Sequence, residues 1–342
     1  MSGHGENSSL LSVLVAVSVN IVITVAKFFG WFMTGSPALL AEGVHSAADV
    51  GNQFLLYIGI KASQKDADPD HPYGFGPARY LWNLKSAMGI FFLGCGATVW
   101  HGSHTLYQYL AHGAEGHGPD EASWWGIGIL LLAFALEGVS LLVALKGIVK
   151  DKGDMTWGEF IKEGDDPTSL GVLFEDGAAV LGVLIALVGV SISHLTGSPV
   201  ADSIASILIG LLLGWLAIFL AKANGRLLIG ASVSAKQKQK ILDALESDEM
   251  VEKVQDLKTR ILGQGQMGVM CEVDLYEKLI ARRMADSLKQ DADRIRRGED
   301  PLKVIVDVVG RSVRITGDEI ERLERKIKAA APTAVHIDLE LI

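Results

Sequence analysis

Two short runs carry side chains that could bind a metal ion inside otherwise apolar sequence. Glu42, His45 and Asp49 lie in Ala-Glu-Gly-Val-His-Ser-Ala-Ala-Asp, and Glu175 and Asp176 lie in Leu-Phe-Glu-Asp-Gly-Ala-Ala. On a helix His45 and Asp49, four residues apart, share one face, where an imidazole nitrogen and a carboxylate oxygen could hold the same divalent ion. Ionisable groups at bilayer depth are costly and mark pathways or sites. One histidine with two or three carboxylates suits Zn²⁺, Mn²⁺, Fe²⁺ or Co²⁺ and not Cu(I). The competing reading makes His45 a hydrogen-bonded core histidine and pairs the carboxylates across helices with Lys27 or Asn20. Glu42 and Glu137, the latter in Leu-Glu-Gly-Val, read as proton sites or structural groups, Glu137 being a possible partner of Lys27. Asp202 reads as a helix N-cap or dipole partner.

The elements that position these residues follow from the apolar runs. Stretches of spanning length occur near 9–33, 37–60, 80–110, 123–149, 169–195 and 200–228, which predicts six transmembrane helices. Ten of the eleven cations before residue 231 lie in or beside 61–85, 146–162 and 222–226, so by the positive-inside rule that side and both termini are cytoplasmic. The eleventh, Lys27, either snorkels outward or pairs with a carboxylate. At about 1.5 Å per residue, Asp49 lies about 18 Å below the outer surface and Asp176 about 14 Å above the inner one. In a core about 30 Å thick those depths coincide. Small residues on helices 2, 3 and 6 (Gly43, Ala47, Ala48, Gly51; Gly89, Gly94, Gly96; Gly210, Gly214) predict close, slidable packing.

Of the 342 residues, 49% are hydrophobic and 21% charged. The charge is unevenly placed. Residues 231–342 hold 20 Lys+Arg and 21 Asp+Glu, against 11 and 19 in residues 1–230. Neither part has the basic excess that nucleic-acid binding needs. The expected organisation is a short N-terminal tail (1–8), a six-helix transmembrane domain (9–230) and a cytoplasmic α+β domain (235–342). In the last, Val251 to Ile261 and Met267 to Tyr276 read as strands around Gly263-Gln264-Gly265. Helices follow over 277–297 and 301–330, then a last strand from Val335. Segment 151–168 reads as a short helix at the membrane surface. Met1 to Asn7 lacks the basic start of a cleaved signal. Cys95 and Cys271, each isolated, suggest neither a disulfide framework nor a thiolate cluster.

Taken together, the six-helix body, His45-x-x-x-Asp49, the acidic position early in helix 5 and the α+β tail resemble the cation diffusion facilitator family of metal/proton antiporters. Ala41-Glu42-Gly43-Val44-His45-Ser46, His71-Pro72-Tyr73-Gly74-Phe75, Leu173-Phe174-Glu175-Asp176 and His336-Ile337-Asp338-Leu339-Glu340 are similar to the branch that holds a mitochondrial zinc exporter. The resemblance implies a multi-pass homodimer that exports Zn²⁺ against protons by alternating access, with a ferredoxin-like C-terminal domain and Zn²⁺ as transported substrate rather than prosthetic group. A bacterial inner membrane is the expected location.

It also implies two ligands each from helix 2 and helix 5, spaced i, i+4. His45 and Asp49 conform on helix 2; on helix 5 Asp176 takes the second place and Val172 stands in the first, which Glu175 or water must fill. Two further sites of the family are depleted. In the loop Asp68 and His71 remain while Phe75 replaces an expected histidine, and Pro77 stands where the lysine of an interhelical charge pair is expected; in the tail His336 and Asp338 remain while Gln255 replaces a histidine. His101, His104, His112 and His117 cluster at the outer end of helix 3 and could hold released metal loosely. Mn²⁺ or Fe²⁺ export, and a non-transporting membrane anchor with an interaction module, are the alternatives. Enzyme motifs are lacking.

Overall fold

The computed structural model describes residues 20–112, 123–152 and 167–342. The expected N-terminal tail, the start of the first span, His117 and all of the surface helix beyond residue 152 but its last two positions lie outside the described residues. The chain divides into two compact units, Met1–Ile229 and Gly230–Ile342.

Among the described residues, the regular elements of the first unit are all helices. Helix α1 (Asn20–Thr34) turns at Gly35, whose φ of +66° favours a residue without Cβ, into α2 (Pro37–Ser63). The Ser36 hydroxyl accepts from the Leu39 amide at 3.1 Å and Pro37 opens the first turn, a start that suits both residue types. Helix α3 (Ala78–Gly89) runs through a π-helical stretch (Ile90–Ala97) into α4 (Thr98–His112). Next come α5 (Ser123–Lys152), α6 (Pro167–Thr196) and α7 (Val200–Ile229).

Among the described residues, three helices are long and apolar enough to cross a membrane by length and composition: α5 over Trp124–Val149, α6 over Leu173–Thr196 and α7 over Val200–Ile229. Their outward-facing Leu131, Val143, Leu184, Leu195 and Leu211 are exposed, as in helices apolar all round. Ala38, Leu39, Val183, Ala186, Ile209 and Leu213 form the inner core.

Small residues set some of the helix spacings. A Cβ on Gly189 would stand 2.4 Å from that of Ala205, one on Gly210 2.6 Å from Val99 Cγ2, and one on Gly214 2.9 Å from Cys95 Sγ. Gly43 and Gly94 are less tight, with β-carbons that would stand 3.1 Å from Phe28 and 3.3 Å from Leu213. Among the described residues, no atom of another segment lies within 4 Å of a β-carbon built on Gly51 or Gly89.

The second unit is a three-stranded mixed sheet with helices. Its elements are α8 (Ala235–Glu246), β1 (Val251–Gly263), β2 (Gln266–Leu275), α9 (Glu277–Arg283), α10 (Ala285–Arg296), α11 (Pro301–Ala330) and β3 (Ala334–Leu341). The order is β1-β2-β3, with β1 and β2 antiparallel and β2 and β3 parallel, so that β3 follows a crossover through α9, α10 and α11. The single helix expected over 277–297 is broken at Met284 into α9 and α10. Ile241 and Leu245 of α8, Val269, Cys271 and Val273 of β2, and Leu323 and Ile327 of α11 share the core. Burial pushes the Cys271 thiol up to about 11, so it packs as a small hydrophobe.

Asp248, buried between β1 and α11, accepts from Arg322 at 2.6 and 2.8 Å, from Lys326 at 2.9 Å and from the Met250 amide at 3.1 Å. The Arg322 hydrogen bonds hold its carboxyl well below the usual range. Buried Glu319 is met by Arg283 and by Arg322 at 2.8 Å.

Candidate metal site

Helix α2 carries most of the chemistry on one stripe. His45 Nε2 lies 3.4 Å from Asp49 Oδ2, as the i, i+4 spacing requires. His45 is 1% exposed and, among the described residues, neither of its ring nitrogens has a hydrogen-bond partner. Asn52, seven residues beyond His45 and so on the same stripe, donates to Glu175 Oε1 of α6 at 2.8 Å.

Helix α6 packs on α2 through the same line. Gly182 is seven residues beyond Glu175, and a β-carbon there would stand 2.5 Å from Glu42 Oε1 and 3.6 Å from His45 Nδ1. Asn52 against Glu175 and His45 against Gly182 make the two helices antiparallel, with the acidic run of α6 level with the end of the α2 stripe. Asp176, about 100° further around α6, turns elsewhere and accepts from Ser140 of α5 at 3.1 Å.

The carboxylates are less short of cations than the sequence suggests. Lys27 of α1 is 1% exposed and donates to Glu42 Oε2 at 2.7 Å, Glu137 Oε1 at 2.7 Å and Ser46 Oγ at 2.9 Å. All three ammonium hydrogens are thereby used. Lys27 therefore pairs with carboxylates and does not snorkel outward, tying α1, α2 and α5 together. Glu42 Oε1 and Glu137 Oε2 remain buried without hydrogen bonds among the described residues.

Asp202 caps a different helix from the one that carries it. Its Oδ1 accepts from the Ala38 amide at 3.0 Å, in the first turn of α2. Among the described residues no three His, Cys, Asp or Glu side chains are gathered closely enough to hold a metal ion. Of the expected set, His45 lies beside Asp49, and Glu175 meets the same stripe of α2 through Asn52.

The secondary candidates form pairs. His71 Nδ1 lies 3.0 Å from Asp68 Oδ1, and that hydrogen bond holds the Asp68 carboxyl below its ordinary value. His71 also stacks on Phe75 at 4.3 Å between ring centroids, the place where the sequence lacks a histidine. His336 and Asp338 alternate on β3 opposite Gly268 and Met270. At the other end, His104 stacks on Trp100 and contacts Gln108, and His112 contacts the Gln108 carbonyl.

Sequence reasoning passed over Ser46, Asn52, Ser140 and Gly182. Helical spacing was the available signal: Ser46 is four residues from Glu42, Asn52 seven from His45, Ser140 three from Glu137 and Gly182 seven from Glu175.

The sequence pattern of the cation efflux transmembrane domain matches residues 13–229. Human proton-coupled zinc antiporter SLC30A9, mitochondrial, is 34% identical over 339 residues, covering 96% of this chain and 58% of its own. Metal tolerance protein C4 of Arabidopsis thaliana is 33% identical over 345 residues, 98% of this chain and 74% of its own. Magnetosome protein MamB of Paramagnetospirillum magneticum is 25% identical over 260 residues. The chain thus spans little more than half the length of the human relative.

Proposed function

The chain belongs to the cation efflux family, and we propose that it exports a divalent metal ion, Zn²⁺ first among them, in exchange for protons. The observation that carries this reading is the seam between α2 and α6. It sets His45 and Asp49 on one helix against Glu175 on the other, inside a helical unit whose α5, α6 and α7 are membrane-spanning by length and composition. The relatives' names, a zinc antiporter and a metal tolerance protein, support the substrate class.

In this proposal six helices span the membrane: α1, α2, the 78–112 rod, α5, α6 and α7. Both termini are cytoplasmic and the membrane is a bacterial inner membrane. The boundary near residue 230 separates the transmembrane domain from a cytoplasmic one. The order α8-β1-β2-helices-β3 fits all but the first strand of a ferredoxin-like pattern. Two copies form a homodimer.

The substrate ion binds His45, Asp49 and Glu175 from the cytoplasmic side, with Asp176 reached by a small rotation of α6. A ligand must be deprotonated to hold the ion, so protons arriving from outside compete for the same groups and release it. With protons on the carboxylates, their mutual repulsion is relieved and the site returns. One set of groups thereby couples both fluxes by alternating access. Asp68 with His71, and His336 with Asp338, are too few for closed sites of three or four ligands.

The test is Zn²⁺ uptake into proteoliposomes under an imposed pH gradient. Asp49→Ala and His45→Ala abolish uptake, and Glu175→Gln lowers it at least tenfold. Competing Mn²⁺ or Fe²⁺ that displaces Zn²⁺ at equal concentration reassigns the substrate. Undiminished flux in Asp49→Ala overturns the site.

A further inference from the structure

The contacts around His45 extend the reading of the metal site, on which this inference rests. An imidazole that binds a metal through Nε2 carries its proton on Nδ1, and a buried N–H needs an acceptor. His45 Nδ1 and Glu42 Oε1 are both buried, both lack a hydrogen-bond partner among the described residues, and both border Gly182 of α6. The other oxygen of Glu42 is fixed by Lys27, whose remaining donors are spent on Ser46 and Glu137. Glu42 is therefore held by one oxygen and free at the other, one helical turn from His45.

We propose that Glu42, clamped by Lys27, is a positioning residue for His45. Its free oxygen accepts a hydrogen bond from the Nδ1–H when the metal is bound, so that the Nε2 lone pair is presented beside Asp49. Carboxylates that orient ligating histidines in this way raise ligand basicity and fix the ring. Two neighbours make the arrangement specific. Gly182 lets α6 pass close to the two groups, because any side chain there would collide with Glu42 Oε1. Lys27 keeps the carboxylate aimed, where an unpaired buried Glu42 would swing toward any donor available.

The experiment measures Zn²⁺ binding by calorimetry on the full chain in nanodiscs, with melting temperature recorded beside it, for wild type, Glu42→Gln, Lys27→Arg, Gly182→Ala and His45→Ala. Glu42→Gln is expected to weaken Zn²⁺ binding about 10–100-fold. Lys27→Arg, which keeps the charge and the clamp, retains most of the affinity. Gly182→Ala leaves every charge in place and weakens binding by displacing the carboxylate, so it decides the matter if Glu42→Gln fails to fold. In transport, Glu42→Gln raises KM for Zn²⁺ more than it lowers kcat. Lowered melting temperature with wild-type affinity in Glu42→Gln and Gly182→Ala would make the triad a strut between helices and overturn the positioning role. If instead His45→Ala binds Zn²⁺ as wild type does, the metal-site reading itself fails.

Discussion

At the residue scale, Lys27 decides how much of the buried charge is available for chemistry. A lone ammonium inside an apolar bundle is untenable, and it persists here because two carboxylates and a hydroxyl satisfy it. Removing it leaves Glu42 and Glu137 facing each other uncompensated. Lys27→Ala is therefore expected to destabilise the first unit by about 3–5 kcal/mol, read as a lowered midpoint in detergent unfolding. Adding Glu137→Gln should recover part of the loss, and a single variant as stable as wild type would contradict the triad. The sequence disclosed His45 with Asp49 because four-residue spacing is a local property of one helix. It did not disclose which of Glu175 and Asp176 turns toward α2, because adjacent residues differ by about 100°. That choice depends on the rotation of α6 against its neighbours, and the contacts of Asn52 and Ser140 reveal it.

At the scale of elements, glycine positions carry the closest approaches. Gly189 of α6 lies so near Ala205 of α7 that a methyl on it would meet the alanine methyl at 2.4 Å. Gly189→Ala is expected to cost about 1–3 kcal/mol through overpacking, and Ala205→Gly in the same chain should recover most of it, because it vacates the contested volume. Additive rather than compensating effects in that double-mutant cycle would rule out the contact. Asp202→Ala, which removes the acceptor of the Ala38 amide while Ser36 still caps Leu39 in the first turn of α2, is expected to cost about 0.5–2 kcal/mol, with faster amide exchange at Ala38 as the readout. The long apolar helices were legible as continuous runs, and the strands of the second unit as alternation around Gly263 and Gly265. The π-helical stretch at Ile90–Ala97 and the break at Met284 were not. Neither has a composition signal: the first continues an apolar helix without proline, and the second falls inside a run of good helix formers.

At the scale of the whole molecule, the two units neutralise charge by different physics. In the first, few charges sit out of water and each needs a partner or a cargo. In the second, many charges pair at the protein–water boundary, where single pairs contribute little. Asp248 is an exception there, being buried under Arg322 and Lys326. Its carboxyl is held below its ordinary value of about 3.9, so its contribution to stability is complete above that value and is lost as pH falls through the lower value of the folded chain. Asp248→Asn should therefore destabilise the second unit by about 2 kcal/mol at neutral pH, and the gap to wild type should close on acidification. Hydrogen exchange along α11 in the full chain, from pH 7 down to pH 2, reads this directly. The wild type is better protected at the neutral end and converges on the variant at the acid end. A gap independent of pH would mean that Asp248 acts through packing alone. Amide protection along α6 and α7, helices that hold none of this carboxylate's partners, supplies the internal control and should not follow it.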